Sequence, residues 1–429
     1  MDRYTFGEAL RRYRQQAGLT QTCLAKQVDW SQSQVCRAEK NRTLPSPHIV
    51  DRLDELLAAG GKLQELYRQA IMDRSIVGGR ARRRLVIGAA GAAAATAALT
   101  PFGLTKLITE LDTKPGKVTH ADAAAIEEIT HDLYMRDLQL GGASVHQMVL
   151  ATLRWALGFL DGSFTPDIRQ RLHRAIAMLA ELAGWTVADT GDLTTAGQLY
   201  RLGLHHARIT EDHGMLTHLI TSWARILTHH RRSRDALTLM QAATLIRRRA
   251  LPPAGVALLD ATYALTHARA GNSTFCHRYL DRAERIFRAP QADDPFWAQQ
   301  FTAPQLSHDI GTSLFYLARS SGRLPNDTLL DRLADAAASY PDTVTRHKAM
   351  ACARLAAACY TLGDVERANH AARQALSLAH RVRSIRVADE VTALVETTTR
   401  YRHNPEVQDI LHEAQQVLAR YPARQATQV

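Results

Sequence analysis

Thr20-Gln21-Thr22-Cys23-Leu24-Ala25-Lys26-Gln27-Val28-Asp29-Trp30-Ser31-Gln32-Ser33-Gln34-Val35-Cys36-Arg37-Ala38-Glu39 reads as two short helices joined by a tight turn. Leu24, Ala25, Val28, Trp30 and Val35 recur at the spacing that turns one side of the pair inward. Gln32, Ser33, Gln34 and Arg37 recur on the opposite side, near the helical period. One face is built to pack, and the other presents amides, a hydroxyl and a guanidinium, the groups that read base edges in a DNA major groove. Arg11, Arg12, Arg14, Lys40 and Arg42 add the positive shell that phosphate neutralisation requires. The competing reading, an amphipathic hairpin inside a larger bundle, leaves that shell unexplained.

The ordered run Leu19-Thr20-Gln21, Leu24-Ala25, Val28, Ser31-Gln32-Ser33, Val35, Arg37 and Glu39 resembles the phage-repressor (Cro/CI, or XRE) type of helix-turn-helix, over roughly residues 5–60. The resemblance implies a five-helix domain with double-stranded DNA as its partner. It puts the base-reading slots on Gln32, Ser33, Gln34 and Arg37, gives Gln21 a phosphate contact or the task of bracing Gln32, and gives Arg42 a backbone contact. It also pairs Arg14 with Glu39 in a partly buried salt bridge, a structural element rather than a DNA contact. Asp29 stands where the family has a turn glycine, and aspartate tolerates that left-handed backbone better than most residues. Ala38 replaces a large apolar residue, which implies a softer core.

The chain has 429 residues, 46% of them hydrophobic, enough for two or three domains. Residues 1–70 hold 11 Lys and Arg against 8 Asp and Glu, and residues 71–117 hold 8 against 3, so +8 of the formal +11 lies in the first 117 residues. The basic excess belongs to the DNA-reading end and the segment after it. Residues 118–429 carry the remaining +3, a balance that leaves a nucleic-acid surface there open without implying one. The five cysteines, Cys23, Cys36, Cys276, Cys352 and Cys359, are odd in number and scattered, as buried thiols of a reducing cytoplasm are.

Residues 71–117 form a basic, Ala-rich linker. Arg80, Arg82, Arg83 and Arg84 precede an uncharged run over 85–105, long enough to span a bilayer with the arginines on the cytoplasmic side. Alanine and glycine dominate that run and Pro101 interrupts it, both of which favour a cytoplasmic linker; a single-pass membrane protein with a cytoplasmic N-terminus is the alternative. An export signal is misplaced behind a DNA-reading domain.

Residues 118–429 show apolar periods of three and four, broken at Gly191-Asp192, Arg231-Arg232-Ser233, Gly271-Asn272, Gly322 and Gly363-Asp364. Breaks about every forty residues mark stacked helical hairpins. Met350 to Ala379, with its turn at Gly363-Asp364 and Ala368 and Ala375 in the second helix, looks like a tetratricopeptide repeat. The same small-residue frame returns as Gly184, Ala196 and Tyr200, as Ala224, Ala236 and Ala243, and as Ala264 and Ala283. Prolines interrupt it between Ala289 and Pro304, where a loop or irregular helix is expected, and Asn404 to Tyr421 supply a terminal helix. The fold class is therefore all-α: a Cro/CI-like domain followed by an α-solenoid of tetratricopeptide-like hairpins.

No catalytic, cofactor-binding or metal-binding constellation emerges, and the chain is not read as an enzyme. The histidines His205-His206, His213, His218 and His229-His230 lack zinc-type spacing and are expected mostly on exposed faces. Arg247-Arg248-Arg249 either clamps an acidic ligand or forms a solvated helix end. The joint architecture resembles the peptide-pheromone receptors of Gram-positive bacteria, which implies a homodimer and a peptide or protein ligand of the repeats. Two other readings stay open: a membrane-tethered one-span sensor, and an interaction scaffold that uses the helix-turn-helix as a docking module.

Overall fold

The computed structural model describes residues 5–28, 30–41, 43–45, 47–67, 70, 116–244 and 251–421. The chain divides into two compact units, Met1–Gly79 and Arg80–Val429. Both are helical. Among the described residues the only extended pairing is an isolated bridge between Lys117 and Ser163.

The first unit contains α1 (Phe6–Gln16), α2 (Gln21–Gln27), α3 (Gln32–Glu39) and α4 (Pro47–Leu56), followed by α5 (62–67). The first three helices start on hydroxyl caps: Thr5, Thr20 and Ser31 accept from the backbone N–H groups of Glu8, Cys23 and Gln34. Asp54 does the same from a distance, accepting from Gly61 and Leu63 N–H at 2.6 and 2.9 Å where α5 begins. Phe6, Leu10, Leu24, Val28, Val35, Leu53 and Leu63 form the core, whereas Trp30 is only half-buried. At Ala38, which is fully buried, α1 approaches closely. A Cβ added at Gly7 would meet the Ala38 and Glu39 carbonyl oxygens at 2.6 and 2.5 Å, so two small residues let the helix backbones approach. Asp29 lies outside the described residues.

The second unit pairs its helices into hairpins: α6 (His120–Leu140) with α7 (Gly142–Gly158), α8 (Pro166–Ala188) with α9 (Leu193–Ile209), and α10 (His213–His229) with α11 (Ser233–Thr244). Then α12 (Pro253–Arg269) pairs with α13 (Ser273–Ile286), the short α14 (Phe296–Gln299) intervenes, and α15 (Ala303–Ser321) pairs with α16 (Asp327–Ser339). Last come α17 (Thr345–Leu362) with α18 (Val365–Ala379), and α19 (Ile385–Thr397) with α20 (Pro405–Leu418). All five sequence breaks hold a residue at positive φ: Gly191, Arg231, Gly271, Gly322 and Gly363. In most, an Asp or Asn just beyond caps the next helix: Asp192, Asn272, Asn326 and Asp364 accept from N–H groups three residues on. The small-residue frame lies at helix crossings. A Cβ at Gly184 would sit 2.6 Å from the Tyr200 ring, and Ala196, Ala224, Ala236, Ala243, Ala264, Ala283, Ala368 and Ala375 are fully buried.

The array closes on itself. Arg383 N–H donates to Leu140 O at 2.7 Å and Ala143 N–H to Arg383 O at 3.2 Å, while Arg346 in α17 reaches Asp137 in α6 at 2.5 Å. Asp189, at the end of α8, receives Gly142 N–H, Ser384 Oγ and Arg386 Nε at 2.9, 2.7 and 2.9 Å. First and last hairpins are thus knit together, and the first helices of successive hairpins surround an interior.

Candidate DNA-binding surface

The surface on α3 is organised from the buried side outward. Arg14 on α1 grips Glu39 with two donors, Nε to Oε1 at 2.5 Å and Nη2 to Oε2 at 3.1 Å, and gives Nη1 to Leu19 O at 2.7 Å. The pair is 8% and 7% exposed, so neither charge is left uncompensated in the core. Glu39 Oε2 also accepts from Gln21 Nε2 at 2.8 Å, and Gln21 Oε1 accepts from Gln32 Nε2 at 2.8 Å. A continuous path therefore runs from a buried ion pair to an exposed amide at the start of α3. Of the two roles set out for Gln21, the structure gives it the brace of Gln32.

The four reading slots divide. Gln32, Ser33, Gln34 and Arg37 are all exposed. Gln34 Oε1 accepts from Ser31 N–H at 2.8 Å and Ser31 Oγ at 3.0 Å, which closes a capping box, and Ser33 Oγ lies 2.9 Å from Ser31 Oγ. Ser33 and Gln34 thus hold the helix start. Gln32 keeps its carbonyl oxygen for a partner, and the Arg37 guanidinium makes no hydrogen bond or ion pair with a described residue. A free guanidinium beside a braced amide suits bidentate donation to guanine and amide pairing to adenine. Arg11, Lys26 and Lys40 are exposed on the same unit. Arg42 lies outside the described residues.

The expectation for the histidines in the second unit is corrected. His206 is 3% exposed and touches His173, Nδ1 to Nδ1 at 2.7 Å, while His218 and His229 turn into the interior. They sit on helices packed on several sides, so a face that spacing alone leaves polar is enclosed. Burial keeps these imidazoles neutral, drawing His206 down to about 4 and His218 to about 3. Among the described residues no three His, Cys, Asp or Glu side chains converge as a metal site requires. Cys276, Cys352 and Cys359 are buried, and burial raises their thiols to about 12, 11 and 11, whereas Cys23 is exposed and Cys36 half-buried.

The interior also holds a charge network that spacing did not reveal. Arg225–Asp309, Arg346–Asp137, Arg354–Glu390 and Arg386–Asp189 are buried pairs at 2.7, 2.5, 2.8 and 2.9 Å. Glu181 stands among them without a guanidinium. Its one sequence signal is a lone acid inside the apolar run Ala175 to Val187. Among the described residues no helix is long and apolar enough to cross a membrane. The run 85–105 and the cluster Arg247-Arg248-Arg249 lie outside the described residues.

Residues 5–66 match a family model described as a helix-turn-helix domain. Comparison with curated proteins and with solved structures returns no match. The N-terminal unit is therefore a helix-turn-helix DNA-binding domain, followed by a helical C-terminal region.

Proposed function

We propose that this protein is a sequence-specific transcriptional regulator of the Cro/CI (XRE) type, without catalytic activity. The exposed Gln32, braced by the Arg14–Glu39–Gln21 path, and the exposed Arg37 on the same helix carry this reading. The tetratricopeptide-like hairpins mediate dimerisation, bind a peptide or protein signal, or do both. Two domains held by a dimer engage two half-sites at high effective concentration, whereas one small module makes few phosphate and base contacts. Selection of bound duplexes from a random pool by the full chain, followed by titration of the full chain and of residues 1–75, tests both parts. Enrichment of one sequence supports the regulator. A full chain that sediments as a monomer and binds with the fragment's affinity contradicts the dimer.

A further inference from the structure

Between the first helices of the hairpins lies a small cavity that opens to solvent, lined by Tyr134, Glu181, His218, Leu258, Trp297 and Phe301. The interruption of the repeat frame builds one wall: α14 and the residues after it deliver Phe296, Trp297 and Phe301. Trp297 stacks on His218 with centroids 4.7 Å apart and planes at 15°, and Phe296 meets Tyr134 edge-on at 5.4 Å.

One carboxyl on this lining, Glu181, has no guanidinium partner among the described residues. Arg225 and Arg346 also line the cavity, but each is committed to its own carboxylate. Among the described residues, Glu181 Oε1 accepts from the Ser222 hydroxyl and, at 3.4 Å, from the Tyr200 hydroxyl, with His218 Nε2 at 3.9 Å. His218 is held neutral by burial, and the other charge acting on Glu181 is a second carboxylate, Asp137. A 7% exposed carboxyl with no cation is costly beside apolar walls, and a ligand bearing one positive charge relieves it. Aromatic faces add attraction for the same charge and a stacking surface for a flat ring.

We propose that the cavity binds a small aromatic amine, its ammonium on Glu181 and its ring against the Trp297 and Phe296 wall. The inference is independent of how the N-terminal unit reads DNA. Isothermal titration of the full chain with tryptamine and with its anionic counterpart indole-3-acetate tests it. Tryptamine is expected to bind the wild type at least tenfold more tightly than indole-3-acetate does. Glu181→Gln, which keeps shape and removes charge, and Leu258→Trp, which fills the cavity without touching the charged network, should each weaken tryptamine at least tenfold while retaining wild-type circular dichroism. Failure of tryptamine to bind at millimolar concentration overturns the proposal. So does indole-3-acetate binding as tightly as tryptamine, or tryptamine binding that is indifferent to both substitutions. If either variant fails to fold, the wild-type comparison and the other variant decide.

Discussion

The two units direct their polar side chains oppositely. In the N-terminal unit a buried ion pair, Arg14–Glu39, passes its order outward through Gln21 to Gln32 on the surface. In the helical unit four guanidinium–carboxylate pairs face inward and link α10 to α15, α17 to α6 and α19, and α19 to the end of α8. Groups turned outward from a rigid anchor are arranged for an external partner. Groups turned inward must satisfy one another, and Glu181 is a buried carboxyl with hydroxyl partners and no guanidinium among the described residues.

The largest effect expected from this contrast is at the seam of the helical unit. Arg346→Ala strands Asp137, 0% exposed, and should cost about 3–5 kcal/mol in denaturant unfolding of the full chain. Arg171→Ala, which breaks the surface pair with Glu127, should cost no more than about 1 kcal/mol. Equal losses would mean that the inward network does not hold the closure.

Glu181 sharpens the comparison through pH. Burial raises its carboxyl from 4.5 to about 7, so between these values the folded state keeps a proton that the unfolded chain has released. Its contribution to stability therefore falls as pH rises through that window. Glu181→Gln should exceed wild type by up to about 3 kcal/mol at pH 8 and match it below pH 4.5, read from paired unfolding curves. The buried neutral histidines act in the other direction. For His206 and His218 stability is full above the ordinary value of 6.5 and is lost as pH falls toward about 4 and about 3. A Glu181→Gln difference that does not vary with pH would place that carboxyl in contact with water or a cation.

Smaller effects separate the roles on α3. Gln34→Ala removes half of a capping box and should lower the stability of the N-terminal unit by about 1 kcal/mol without changing base preference. Altered base preference at unchanged stability would return Gln34 to the reading set. Arg42→Ala should weaken binding to all sequences and lower the salt slope by about one unit, measured by titration across a salt series.

Much of this architecture is legible because its signals are local. Hydroxyl caps at Thr20 and Ser31, apolar spacing from Leu24 to Val35, and glycine or Asp/Asn at the hairpin breaks each act within a few residues. The division of labour on α3 is less legible, since Gln34 has the same spacing whether it caps the helix or reads a base. Closure of the helical unit is not legible at all. Asp137 meets Arg346 and Asp189 meets Arg386 across about two hundred residues, and no periodicity encodes such pairing. The misplaced histidines follow from the same gap: spacing separates two faces of a helix but does not say that a neighbouring hairpin covers the polar one.

The central claim is that α3 reads sequence, and Arg37→Ala tests it most directly. Binding of wild type and variant is titrated on a selected duplex, on its single-base-pair variants and on random DNA at one salt concentration. The account predicts a loss of about 1–3 kcal/mol on the selected duplex, relaxed preference at one base pair, and a much smaller loss on random DNA. Equal losses on selected and random duplexes would contradict it and reduce Arg37 to a phosphate contact.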